Sequence, residues 1–129
     1  MANTVTQRTL VGDSRTRNVV RHVHIISDGT EESDLIVFNN SDFVNDTSKG
    51  RLVGLTAIGD SCVARLEWDQ TADSPILSVD PANGVQLDFS HFGGVSNPNG
   101  SGATGDILLS TADLDAGDEI TLILEIEQY

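Results

Sequence analysis

The chain has 129 residues, enough for one domain and short for two, with 20 acidic and 7 basic side chains giving a formal charge of −13. So acidic a surface repels phosphate backbones and argues against a nucleic-acid partner. One cysteine, Cys62, excludes an intrachain disulfide, and no stretch approaches the roughly 20 apolar residues of a membrane-spanning helix. The opening "MANTVTQRTL" lacks the apolar core and cleavage signature of a secretion signal, so folding in a reducing cytoplasm is expected. Charge is unevenly spread. Residues 1–26 hold Arg8, Arg15, Arg17 and Arg21 against Asp13 alone, while the remainder holds three basic and nineteen acidic side chains. This basic segment is a candidate docking strand or arm for an acidic partner, or else the solvent face of a first strand.

The dominant period is two. "TVTQRTLV" (4–11) reads as the first strand. In "TRNVVRHVHIIS" (16–27), Val19, Val23 and Ile25 lie on one side, and Val20, His22, His24 and Ile26 on the other. "DLIVFN" (34–39) and "RLVGLTAIG" (51–59) follow. "SCVARLEWD" (61–69) sets Cys62, Ala64, Leu66 and Trp68 opposite Val63, Arg65 and Glu67, which makes Cys62 a buried, unreactive thiol. Next come "PILSV" (75–79), "GVQLDFS" (84–90) and "GDILLST" (105–111). The last strand, "EITLILEIEQY" (119–129), aligns Ile120, Leu122, Leu124 and Ile126 on one face, while Ile123 marks a covered patch on the other. Asp28-Gly29, Gly59-Asp60 and Asn83-Gly84 punctuate these runs as turns. Residues 38–50 form a polar connection, and 91–106 a Gly/Asn/Ser loop around Pro98. No window carries a helical repeat. The expected fold is all-β, a single antiparallel β-sandwich over residues 1–129 with about eight or nine strands in a jelly roll.

Few residues invite chemistry. Gly12-Asp13-Ser14 and Gly59-Asp60-Ser61, with Asp88 three residues before His91, spell the nucleophile and Asp-x-x-His of one hydrolase superfamily. There the serine lies where a parallel strand hands over to a helix, whose N-terminus supports an oxyanion. Ser14 and Ser61 each precede a strand instead, so both tripeptides read as turns and no catalytic residue is assigned. His22 and His24 point the same way from one strand, and His91 could complete a three-histidine zinc site. No cysteine or carboxylate at ligand spacing supports that, and a polar stripe or subunit contact is the expectation. The acidic runs "SDGTEESD" (Asp28, Glu31, Glu32, Asp34) and "ADLDAGDE" (Asp113, Asp115, Asp118, Glu119) miss the EF-hand pattern and read as solvated turns, leaving a weak calcium site as the alternative. One Trp, one Tyr and four Phe leave few rings for a sugar-stacking platform. No cofactor is expected. Binding or assembly is the expected class of function, and not an enzyme.

Four stretches carry a likeness to known proteins: "TQRTLVGDSRTRNVV", "IISDGTEESDLIVFNNS", "CVARLEWDQTADSPILSV" and "TGDILLSTADLDAGDEITLILEIEQY". Read in order, the chain resembles the small capsid-decoration (cement) proteins of tailed bacteriophages. The resemblance implies a virion protein assembled in the host cytoplasm. It would sit on the outer capsid surface as a homotrimer at three-fold or quasi-three-fold positions and clamp the major capsid protein. Capsid-contact candidates are Arg8, Arg15, Arg17 and Arg21 with Asn97, Pro98 and Asn99 of the long loop. Subunit-contact candidates are Val20, His22, His24, Ile26 and Ile123. The alternative is a carbohydrate- or receptor-binding β-sandwich module of a phage fibre or appendage, with calcium.

Overall fold

Strict alternation places apolar side chains on one face of each long strand, so two sheets close over a shared interior. The computed structural model describes residues 3–12, 18–43, 50–98 and 100–128. Its strands are β1 (Thr4–Val11), β2 (Asn18–Ile26), β3 (Leu35–Phe38), β4 (Gly50–Gly59), β5 (Val63–Trp68), β6 (Ser74–Val79), β7 (Val85–Asp88), β8 (Val95–Ser96), β9 (Ile107–Ala112) and β10 (Glu119–Gln128). One sheet runs β1-β2-β10-β4-β7, with the two-residue β8 also on β4, and the other runs β3-β9-β5-β6. All the pairings are antiparallel. Leaving β1 and β8 aside, each sheet has four strands, and the chain crosses between sheets at every connection except β5–β6. That is the jelly roll, two interleaved Greek keys. β8, beyond the eight or nine strands expected, arises where the long loop turns back onto the start of β4.

The interior is built as the alternation demands. Val19, Val23 and Ile25 of β2, Leu52, Leu55 and Ala57 of β4, and Ile120, Leu122, Leu124 and Ile126 of β10 face Val37, Ala64, Leu66, Trp68, Ile107 and Leu109 of the opposite sheet. Each large aliphatic side chain so enclosed contributes about 1.5–3 kcal/mol. In β4 the inward set skips from Leu52 to Leu55. The register against β10 slips there, with Gly54 opposite Glu125 and Leu52 opposite Ile126, which marks a bulge at Val53. Trp68 is 1% exposed. Phe43, from the polar connection, stacks on Phe38 with ring centroids 5.3 Å apart. Among the described residues, no helix is long and apolar enough to cross a membrane.

Candidate interaction surface

The second sheet covers the inner face of the first, so the first sheet's other face is left outward. Cross-strand register shows which side chains share it, because directly opposed residues point the same way. One row runs Arg8–His22–Ile123–Thr56–Gln86, the next Thr6–His24–Thr121–Ile58, and a third Thr4–Ile26–Glu119. At the other end Val11 meets Val20, which meets Glu125. The five subunit-contact candidates, Val20, His22, His24, Ile26 and Ile123, therefore lie on one surface, with Arg8 among them. His24 Nε2 is 3.1 Å from Glu119 Oε1. His22 Nδ1 is buried without a hydrogen-bond partner. Two further apolar residues extend the face: Ile58, 56% exposed, and Val11, 54% exposed. Parity could have found Ile58, since Leu55 and Ala57 point inward on the same strand. Val11 could not be found that way, because the β1 register shifts between Thr9 and Val11.

The capsid-contact candidates divide. Arg8 and Pro98 are exposed. Arg15, Arg17 and Asn99 lie outside the described residues. Arg21 shares the parity of Val19 and Val23 and points into the edge of the sandwich. There its Nε donates to the Val37 carbonyl (3.1 Å), Nη1 to Thr9 Oγ1 (2.9 Å) and Nη2 to Gln7 Oε1 (2.9 Å). Burial draws its pKa below the ordinary value, and Asp42 pulls the other way. Asn97 is buried, and its backbone N–H donates to the Gly50 carbonyl at 2.9 Å. The loop instead offers Phe92, 59% exposed, with the His91 ring edge-on at 4.8 Å and Phe89 tilted at 5.9 Å. His91 follows β7, which is separated from β2 by β4 and β10, so it is remote from His22 and His24.

Gly59-Asp60-Ser61 is the turn between β4 and β5. Asp60 exchanges backbone and side-chain bonds with Glu119: its N–H donates to the Glu119 carbonyl (2.9 Å) and its carboxylate accepts the Glu119 N–H (2.9 Å). Ser61 Oγ donates to Asp80 at 3.0 Å. Asp88 accepts the N–H of Ser90 (2.8 Å), two residues on. Gly12 is described, but Asp13 and Ser14 lie outside the described residues.

The acidic loops are mostly internal braces. Glu31 accepts from Thr111 Oγ1 and the Leu114 N–H, Glu32 from Asn3 Nδ2, and Asp118 from the Asp115 N–H. A different set is brought together in space: Asp34, Glu67 and Asp73 hold one carboxylate oxygen each within 4.8 Å of one another. Sequence spacing could not show this, since the three come from separate segments. A depression of about 180 Å³ lined by Val63, Arg65, Ser110, Thr111 and Ala112 falls below the range of about 300–1,000 Å³ usual for small-molecule sites.

Fold and surface together define a jelly-roll β-sandwich with an open, mixed apolar and histidine face. No family model matches the chain, and no curated protein matches it. Among solved structures, one described as "CBM4 structure and function" is similar over 87% of this chain and 84% of that one, at 8% identity and a TM-score of 0.31. A likeness at that level carries no argument about this chain.

Proposed function

We propose that the protein is a virion structural protein that binds the outside of a tailed-phage head and stabilises the assembled shell, contacting the major capsid protein. The observation that carries this is the outward face of the six-stranded sheet. Val11, Val20, Ile26, Ile58 and Ile123 meet His22, His24 and Arg8 there. A broad face with exposed apolar side chains set among polar ones suits association with another protein surface. Jelly rolls serve capsids and lectins alike, so the surface and not the fold bears the weight. Many copies that bind the assembled shell, and not its free subunits, stabilise it by mass action. The resemblance makes the bound form a homotrimer.

The test is co-sedimentation with purified heads, and separately with unassembled capsid subunits, of the phage that encodes the chain. Wild type should pellet with heads and not bind free subunits. Ile58→Lys and Ile123→Lys should each weaken head binding by about tenfold or more. Absence of head binding, or equal affinity for free subunits, would refute the proposal. The second reading is the carbohydrate- or receptor-binding module, and the Asp34–Glu67–Asp73 group favours its calcium component. It is weakened by the aromatic residues, because Trp68, Phe38 and Phe43 are buried. A melting temperature that drops on chelation and recovers with calcium would favour it.

A further inference from the structure

Sheet edges show unpaired N–H and C=O groups and invite pairing with other chains, so folds ordinarily guard them. Three of the four sandwich edges here are guarded. The Ile36 and Val37 carbonyls of β3 accept from Gln7 Nε2 (3.2 Å) and Arg21 Nε (3.1 Å). β6 carries Pro75, which cannot donate. β7 has only four residues, closed in by the 3-10 turns Pro81–Asn83 and Ser90–Phe92. Among the described residues, β1 shows none of these devices over Thr4–Thr9. It holds regular register against β2 on one side, has no proline, and shows Thr4, Thr6, Arg8 and Thr9 exposed. Its first irregularity lies beyond Thr9.

We infer that β1 is an association edge, and that its occupant is β1 of a second copy, paired antiparallel about a two-fold axis through Thr6. Charge favours a second copy. Residues 3–12 carry no acidic side chain and one basic one, Arg8, on a chain of net charge −13, so two acidic bodies meeting along this edge repel little. The register follows from the pleat. A two-fold axis normal to the sheet keeps inward residues beside inward ones only if it passes through a residue. An axis at Gln7 would set Arg8 opposite Thr6 of the partner, leaving the two guanidinium groups diagonal neighbours at about 7–8 Å. An axis at Thr6 opposes Thr6 to Thr6, Val5 to Gln7 and Thr4 to Arg8. It separates the two arginines by about four residues, roughly 14 Å, beyond a Debye length in physiological salt. The joined sheets would then present both copies' outward faces on the same side. This inference goes beyond the proposed function and does not depend on it, since it concerns the free chain in solution, whereas the homotrimer is the form proposed on the assembled shell.

The test is molar mass by light scattering on a sizing column, together with cysteine cross-linking. Wild type should elute at twice the 13.7 kDa chain mass. Thr6→Lys sets like charges face to face across the axis from a solvent-facing position. It should raise the dimer dissociation constant about tenfold or more while leaving the circular dichroism melt unchanged. Thr6→Cys should form an intermolecular disulfide on mild oxidation, with the native Cys62 buried and silent. Thr4→Cys, displaced from its own copy across the axis, should not. A monomeric or trimeric wild type, or equal cross-linking of the two cysteine variants, would overturn the pairing. Head binding is measured separately, so either conclusion can fail alone.

Discussion

Arg21, one of the two described arginines of the basic segment, ties three strands together, and replacing it tests whether it is architecture or contact. Arg21→Met keeps the aliphatic stem and removes three donors, those reaching Val37 of β3 and Thr9 and Gln7 of β1. A hydrogen bond from a charged donor is worth about 1.5–3 kcal/mol. The guanidinium is only partly buried, so water replaces part of each bond and the three cannot add in full. Loss of about 2 kcal/mol is expected, which at this chain length lowers the melting temperature by about 6–10 °C. Urea titration followed by the fluorescence of Trp68, the only tryptophan, measures it, because unfolding exposes a buried indole. Hydrogen exchange should accelerate in β1 and β3 before the rest of the sandwich. Arg21→Lys should recover little, since one ammonium cannot reach acceptors on two sheets. A midpoint shift below about 0.3 kcal/mol would refute the reasoning. It would mean that desolvation of the guanidinium cancels its bonds, and Arg21 would return to the pool of contact residues.

Gly59 has φ of +147°, and a Cβ there would run into the Glu119 carbonyl oxygen and approach Ile120 Cα at 2.7 Å. Gly59→Ala should therefore cost about 2 kcal/mol or more in a thermal melt. An unchanged melt would mean that the turn can rearrange. Trp68 buries its indole nitrogen without a hydrogen-bond partner. Trp68→Phe, monitored by circular dichroism, should thus stay within about 1 kcal/mol of wild type, since removing an orphaned donor offsets the smaller ring, whereas Trp68→Ala should cost about 3–5 kcal/mol. Burial, helped by neighbouring carboxylates with Asp80 first, raises the Cys62 thiol from 9.0 to about 11. Native protein at pH 8 should then react with a thiol reagent about a hundredfold more slowly than urea-unfolded protein. Asp106 is raised above its ordinary 3.8, chiefly by burial and against the Asn40 N–H bond that lowers it. At neutral pH its carboxylate is ionised where the fold disfavours charge, and that penalty disappears as the pH falls through the raised value toward 3.8. Asp106→Asn should exceed wild type in stability at pH 7 and lose the advantage near pH 3, and a constant difference would contradict this assignment.

Strand positions were legible because half-buried antiparallel strands write their burial into the sequence at period two. The "TVTQRTLV" segment is β1 to the residue, and Cys62, Ala64, Leu66 and Trp68 point inward as their alternation requires. The outward grouping of Val20, His22, His24, Ile26 and Ile123 was legible for the same reason. Parity, however, says nothing of what a polar side chain does once inside. Arg21 alternates with Val19 and Val23, and only the nearness of the β3 carbonyl and of Thr9 and Gln7 shows that an inward arginine has partners. The bulge at Val53 was hidden because a slip in register leaves no residue signature beyond Gly54. At Gly54 the Glu125 carboxylate takes the space a Cβ would fill. The Asp34–Glu67–Asp73 group was invisible for a more general cause, since its members lie on three segments that meet only through sheet pairing.

The distribution of polar groups explains what several of the chain's many carboxylates do in the fold. Asp60 accepts the Glu119 N–H, Glu31 the Leu114 N–H, Asp118 the Asp115 N–H, Asp80 the Ala82 N–H and Asp88 the Ser90 N–H. Asp118, Asp80 and Asp88 each close a turn by satisfying a nearby backbone donor, whereas Asp60 and Glu31 satisfy donors on segments distant in sequence. The Ala82 N–H and Ser61 hydroxyl hold the Asp80 carboxyl below its ordinary pKa, and the Ser90 hydroxyl and then its N–H do so for Asp88, so both braces are lost only as the pH falls through those lowered values. Carboxylates fixed in this way are poorly placed to serve as acid, base or ligand. The two proposed contacts, the outward face and the β1 edge, draw on none of these five carboxylates. Substitutions at the acidic turns should therefore change stability and leave partner affinity alone, whereas Ile58, Ile123 and Thr6 should do the reverse.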